Sequence, residues 1–330
     1  MRSKTTGPTR IPPRNTLSQP SAETRSKQPS VWAMIVATLV LLTGFQAGAD
    51  ALSDFENSVE HHTTSRSGAS IHYVTTGSGD PVLFVHGFPD HWLTWWRQME
   101  ALSSDYSVAS MDLRGFNLSD QPVAPEAYAI ENLIADVEAV ISDIDAGPVT
   151  LVGHDWGGFL AWHVAMERPD LVTRLVVLNI PHPWSMANEL ATNPEQVTAS
   201  QYVDFFRSPG AAERISRELI SNWVSDPAFL ERHHAAMDRS DLNAMLNYYR
   251  VHYPQRPYRA FEPDPAKIKA PTLVVFGAQD PFLLVSGLGD TWDFVSAPLT
   301  LAIWPDAGHF SQHDQPDRLT ELLLGWLSSN

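Results

Sequence analysis

Cysteine is absent from this chain of 330 residues. Disulfides, thiolate-bound metals and cysteine nucleophiles are therefore excluded, although the compartment is not identified, since an exported protein can simply avoid cysteine. Basic residues are scarce: 22 Lys and Arg stand against 38 Asp and Glu, a formal net charge of −16. Such a surface repels nucleic acid and anionic lipid, and it argues against an anionic substrate. No internal repeat is visible. Neither a phosphate-binding glycine loop nor a spaced cluster of metal ligands occurs, so no cofactor is expected. There is no Arg-Arg pair, which speaks against a twin-arginine export signal. Apolar runs of about 20 residues, the length of a membrane span, are also missing, though one stretch comes close.

That stretch lies near the start. Residues 1–30 are rich in Ser, Thr and Pro and carry Arg2, Lys4, Arg10, Arg14, Arg25 and Lys27. An apolar run from Val31 to Phe45 follows, then Gln46-Ala47-Gly48-Ala49-Asp50. A basic n-region, an apolar h-region and an A-x-A-like site are the parts of a secretory signal. Residues 1–49 thus read as a signal peptide, and the chain as exported, periplasmic or secreted. Left uncleaved, residues 31–49 would instead be a membrane anchor. The remainder keeps 16 basic and 37 acidic residues, a net charge near −21.

Beyond residue 50 the chain is long enough to bury a sizeable core. Strand-like segments fall at His62–Arg66, Ser70–Thr75, Pro81–Val85, Tyr106–Asp112, Val149–Gly153, Arg174–Asn179, Thr272–Gly277 and Leu299–Trp304. Ile130, Leu133, Ile134, Val137, Val140, Ile141 and Ile144 recur at helical spacing. Helical patterns also cover Phe159–Glu167 and Arg318–Leu327. Strands alternating with helices imply an α/β architecture, a mostly parallel sheet with helices on both faces. Between Asn179 and Thr272 no convincing strand occurs. We divide the chain into a first core part over 50–180, a helical cap over 181–265 and a second core part over 266–330. Ligands bind at the carboxyl edge of such sheets, so the cap should cover the site.

The stretch Leu151-Val-Gly153-His154-Asp155-Trp156-Gly157-Gly158 reads as a buried strand, a small-residue turn and a helix start. The pattern G-x-nucleophile-x-G is that of a nucleophile elbow, with Asp155 at the place where an esterase carries Ser. A carboxylate there suits displacement at an alkyl carbon, leaving an ester that water then hydrolyses.

Together with His86-Gly-Phe-Pro-Asp90, Asp112-Leu-Arg-Gly115, Pro181-His-Pro183 and Gly308-His309, this elbow resembles the α/β-hydrolase fold of the epoxide hydrolase family, relatives of haloalkane and fluoroacetate dehalogenases. The resemblance spans about residues 60–328. It implies a mostly parallel eight-stranded sheet with a helical cap insertion. In the fold's chain order of nucleophile, acid and histidine, His309 takes the place of the base and Asp280 that of its orienting acid. Asn179, where some relatives keep the acid, offers no carboxylate. The resemblance assigns the oxyanion-hole N–H groups to Phe88 and Trp156. His86 and Pro89 shape the first of these loops, and with Trp92 they are expected to line the substrate pocket. His154, His182 and His313 are expected to be structural.

Opening an epoxide creates an alkoxide, which tyrosine suits as a donor because its pKa near 10 keeps it protonated. Tyr202-Val-Asp-Phe-Phe206-Arg-Ser-Pro-Gly210 and Tyr248-Tyr249-Arg250 are similar to the two cap segments that supply such tyrosines in epoxide hydrolases, with Tyr202 and Tyr249 in the donor places. The expected partners are thus a small apolar epoxide and water, with a homodimer an open option. Dehalogenation by the same triad and ligand capture without turnover are the alternatives. Dehalogenases of simple haloalkanes usually place Asn where Phe88 stands, and fluoroacetate dehalogenases place Arg where Trp156 stands. Both departures favour an epoxide. The segment Phe116-Asn117-Leu118-Ser119-Asp120 departs from the family's usual pattern, so substrate shape is open.

Overall fold

The computed structural model describes residues 48–65, 68–145, 147–262 and 265–329. The export segment read over residues 1–49 lies outside the described residues as far as residue 47.

Eight strands make one sheet: β1 (Glu60–Thr64), β2 (Ile71–Gly77), β3 (Asp80–Val85), β4 (Tyr106–Met111), β5 (Val149–His154), β6 (Val172–Leu178), β7 (Thr272–Gly277) and β8 (Leu299–Trp304). Their spatial order is β1-β2-β4-β3-β5-β6-β7-β8. Pairings of β2 with β1 and β4 are antiparallel, and all others are parallel. This is the mostly parallel α/β sheet expected from the sequence. Central strands β5 and β7 are buried along their whole length, which is why they read as unbroken apolar runs.

Side chains alternate across the pleat. Leu83, Val85, Leu151, Leu175 and Val177 feed one core, while Val82, Phe84, Val152, Val176 and Leu178 feed the other. The first core is closed by helices Ile130–Asp143 and Trp156–Glu167; Leu133, Ile134, Val137, Val140 and Ile141 form the buried stripe of the former. Helices Trp96–Leu102 and Pro316–Ser328 close the second, together with a helix over residues 48–58 that buries Leu52 and Phe55. Neither of the two short helices at 48–58 and 96–102 is evident from periodicity, because so few turns show little of it.

Between β6 and β7 the described residues hold helices and no strand, from Pro183–Thr192 to Asn247–His252. Their starts are locally encoded. His182, Asn193 and Asp226 each accept a backbone N–H from the first turn, and each is followed by Pro at the first helical position, where its missing N–H costs nothing. Among the described residues no helix is long and apolar enough to cross a membrane.

Candidate active site

Parallel strands end on one edge, and the candidate residues follow those ends. Asp155 comes directly after β5, with φ 51 and ψ −119, before the helix beginning at Trp156. Such a backbone is strained by about 1–3 kcal/mol and throws the carboxylate clear of both strand and helix. Only small neighbours tolerate the turn. A Cβ on Gly157 would strike the carbonyls of Val85 and His86, and one on Gly87 would lie 2.5 Å from Asp155 Oδ1.

Asp155 is 7% exposed, and its carboxylate has two oxygens in different surroundings. Oδ1 accepts the Phe88 backbone N–H at 2.8 Å, whereas Oδ2 faces His309 Nε2 at 3.5 Å. On the other side of the imidazole, Nδ1 meets Asp280 Oδ2 at 2.7 Å. Asp280 is held in turn: its Oδ1 accepts from the N–H of Phe282 at 2.8 Å and Leu283 at 3.0 Å. Trp156 is the first residue of its helix, where the backbone N–H has no acceptor within the helix. The structure thus brings Asp155, Asp280, His309 and the Phe88 N–H into one constellation.

The sequence marks Asn179 only by its lack of a carboxylate. It sits just past β6, between the strands that carry Asp155 and Asp280, with φ 45. Its Nδ2 donates to Asp280 Oδ2 and to Gly308 O, both at 3.0 Å. It therefore positions the acid and the loop carrying the base. No local motif announces this role, which depends on sheet order.

Burial pushes the Asp280 carboxyl up, but the charge and hydrogen bond of His309, with Asn179 and the Phe282 N–H, hold it below the usual carboxylate range. Burial pushes His309 down, yet the Asp280 charge and the hydrogen bonds to Asp155 and Asp280 raise it to about 10. At neutral pH the resting pair is therefore imidazolium and carboxylate. A raised folded-state value favours the charged form, so this stabilisation is full below the unfolded pKa of about 6.5 and fades as pH rises through the folded one. In Asp155→Asn the imidazole loses one of its two anionic partners. Its titration midpoint, followed by NMR of the ring nitrogens, is expected to fall below that of the parent; an unchanged midpoint would show that Asp155 contributes nothing to it.

Two cavities meet at Asp155, Tyr202 and Tyr249, which line both. The wide arm, about 220 Å³, is bounded by Phe88, Pro89, Phe206, Leu219, Trp223, Phe282, His309 and Phe310. The narrow arm, about 40 Å³, is bounded by Trp156, Phe159, Pro181, Met186, His252, Tyr253 and Phe261 among others. Burial drives the hydroxyls of Tyr202 and Tyr249 well above their ordinary pKa, so both stay protonated donors. Their rings meet edge to face, 6.1 Å between centroids.

Pro89 lines the pocket, but two residues expected there do not. His86 is fully buried beneath the loop, where Nδ1 donates to Gly87 O at 2.8 Å and Nε2 accepts the Leu113 N–H at 3.0 Å. Both ring nitrogens are spent on backbone, which turns the ring away from the cavity. Trp92 faces the opposite core, its ring 6.5 Å from that of Phe55. The remaining motif histidines also hold structure. His154 donates from Nε2 to His309 O at 2.9 Å, and burial lowers its pKa to about 4. His182 caps a helix and stacks on Phe294 at 4.2 Å, while His313 pairs with Thr94 Oγ1 at 2.7 Å. Among the described residues no cluster of His, Asp and Glu is arranged to hold a metal ion.

A family model described as alpha/beta hydrolase fold matches residues 80–316. Epoxide hydrolase 3 of Xenopus tropicalis is 31% identical over 293 residues, covering 80% of this chain and 76% of the relative. Epoxide hydrolase 4 of Homo sapiens is 32% identical over 276 residues, with 79% and 76% covered. A solved Bacillus megaterium epoxide hydrolase in complex with an inhibitor is similar at TM-score 0.75 and 28% identity, covering 82% of this chain and 100% of that one. The chain belongs to the epoxide hydrolase family of the α/β-hydrolase fold. It is a hydrolase.

Proposed function

We propose that the enzyme hydrolyses an epoxide to a vicinal diol through an ester on Asp155. The observation that carries this reading is that Tyr202 and Tyr249 line the same cavity as the Asp155 carboxylate, with His309 on one wall. In the first step Asp155 Oδ2 attacks the less hindered epoxide carbon, the ring C–O bond breaks, and a tyrosine hydroxyl gives its proton to the departing oxygen. Oδ1, already held by the Phe88 N–H, becomes the ester carbonyl oxygen. In the second step water adds to the ester carbon, giving one proton to neutral His309; the acyl C–O bond to the substrate then breaks, the departing oxygen takes the other water proton, and the diol leaves with Asp155 restored as a carboxylate. Charge developing on Oδ1 is met by the Phe88 N–H and by that of Trp156.

The resting imidazolium does not oppose this sequence. Esterification removes the negative charge of Asp155, one of the causes that hold His309 high. Its pKa then falls, and the ring passes its proton to the tyrosinate left by ring opening, directly or through water, which restores the tyrosine and leaves a neutral imidazole as the base. A test is diol formation from styrene oxide and apolar epoxides by parent and by freshly prepared Asp155→Asn. The parent is expected to form diol and the variant not to; equal rates would sink the mechanism. Halide release from bromoalkanes with no diol from any epoxide would reassign the site to dehalogenation.

A further inference from the structure

The narrow arm of the site contains two polar groups that the two-step reaction leaves idle. Trp156 and Tyr253 both line it and are 6% and 8% exposed. Neither the indole Nε1 nor the Tyr253 hydroxyl has a hydrogen-bond partner. The Tyr249 hydroxyl stands beside the indole and Ser200 beside Tyr253, close enough to be felt, but without completing hydrogen-bond geometry. Buried donors are almost always paired in native proteins. Two unpaired donors in one arm, next to the nucleophile, therefore point to a guest.

The rest of the arm limits what the guest can be. Phe159, Met186, Phe261 and Leu283 make its walls apolar, and neither Lys nor Arg lines it. His252 also lines it, but burial lowers its pKa to about 4 and its Nε2 is spent on Tyr128 O at 2.7 Å. With no cation there and the Asp155 carboxylate at the junction of the arms, an anionic group would be repelled. A neutral oxygen acceptor fits both the donors and the charge. The small volume of this arm, about 40 Å³ against about 220 Å³ for the other, restricts it to a slim substituent.

We propose that the narrow arm is a recognition subsite for a neutral acceptor oxygen on the slim substituent of the epoxide. An ether, ester or ketone oxygen accepts from Trp156 Nε1–H, with the Tyr253 hydroxyl as second donor, while the bulky apolar end fills the wide arm. The proposal rests on the epoxide reading of the site.

The test uses two trans-disubstituted epoxides that share a phenyl group and differ by one atom, one bearing methoxymethyl and the other n-propyl. Diol formation gives kcat/KM for each with the parent, Trp156→Phe and Tyr253→Phe. Intrinsic reactivity cancels when the ether-to-propyl ratio is compared between proteins. That ratio is expected to fall about tenfold in Trp156→Phe and about threefold in Tyr253→Phe, the loss of one hydrogen bond to a bound group in each case. Both changes keep the ring, and thermal unfolding checks that each variant is folded; the Tyr253 variant alone decides if the other is not. Ratios unchanged from the parent overturn the subsite while leaving the epoxide reading intact. No diol from either substrate with the parent overturns that reading, and the subsite with it.

Discussion

In a His309→Gln variant the ester on Asp155 is expected to accumulate while diol release falls by about 10²–10⁴-fold, the usual contribution of a positioned general base. This division is the one that the proposed mechanism requires. Oδ2 needs only to be ionised and free to attack, and Oδ1 keeps its hydrogen bond from the Phe88 N–H at 2.8 Å. Hydrolysis in the proposed mechanism, in contrast, needs a water activated by the imidazole that faces Oδ2 at 3.5 Å and meets Asp280 at 2.7 Å. Mixing the variant with a good epoxide should add the mass of that epoxide to the peptide carrying Asp155. A folded variant that gains no mass would show that His309 is needed before the bond to carbon forms, and that the roles are wrongly divided.

Removing both hydroxyls in Tyr202→Phe/Tyr249→Phe is expected nearly to abolish ring opening. Each single change should slow it by roughly tenfold or more, because leaving a buried polar group unpaired costs about 1–3 kcal/mol and each 1.36 kcal/mol is tenfold in rate. With one tyrosine left the nascent alkoxide still has a proton donor. With neither, it forms in an apolar cavity walled by Phe88, Phe206 and Phe282. Hydrolysis of an ester already formed should change much less, since the proposed mechanism assigns that step to His309. Single-turnover measurement of the two steps separates them. A double variant that opens epoxides at the parent rate would reduce both tyrosines to packing.

Much of this fold is legible because it is encoded by local pattern. The runs that became β5 and β7 are apolar throughout since both their faces are covered. The helix Ile130–Asp143 shows a stripe since only one of its faces is. The glycines around Asp155 are legible for a steric reason: at Gly87 and Gly157 a side chain would collide with the carboxylate or with backbone. The direction of a side chain on a loop is another matter. His86 and Trp92 stand close in sequence to the Phe88 loop, yet one is tied down by backbone partners and the other is packed on Phe55.

The sequence by itself therefore determined the α/β architecture, the elbow with a carboxylate at its tip, and the order in which Asp155, Asp280 and His309 follow strand ends. Strand period and turn sterics act over a few residues, so they can be read from a few residues. Only the tertiary structure decided how far apart those side chains stand, that Asn179 holds the acid because β6 lies between β5 and β7, and that Leu219, Trp223 and Phe310 wall one arm while Trp156 and Tyr253 face the other without partners. These contacts join positions far apart in the chain, and their geometry is set by sheet order and by how the helices between β6 and β7 pack, neither of which any short segment encodes.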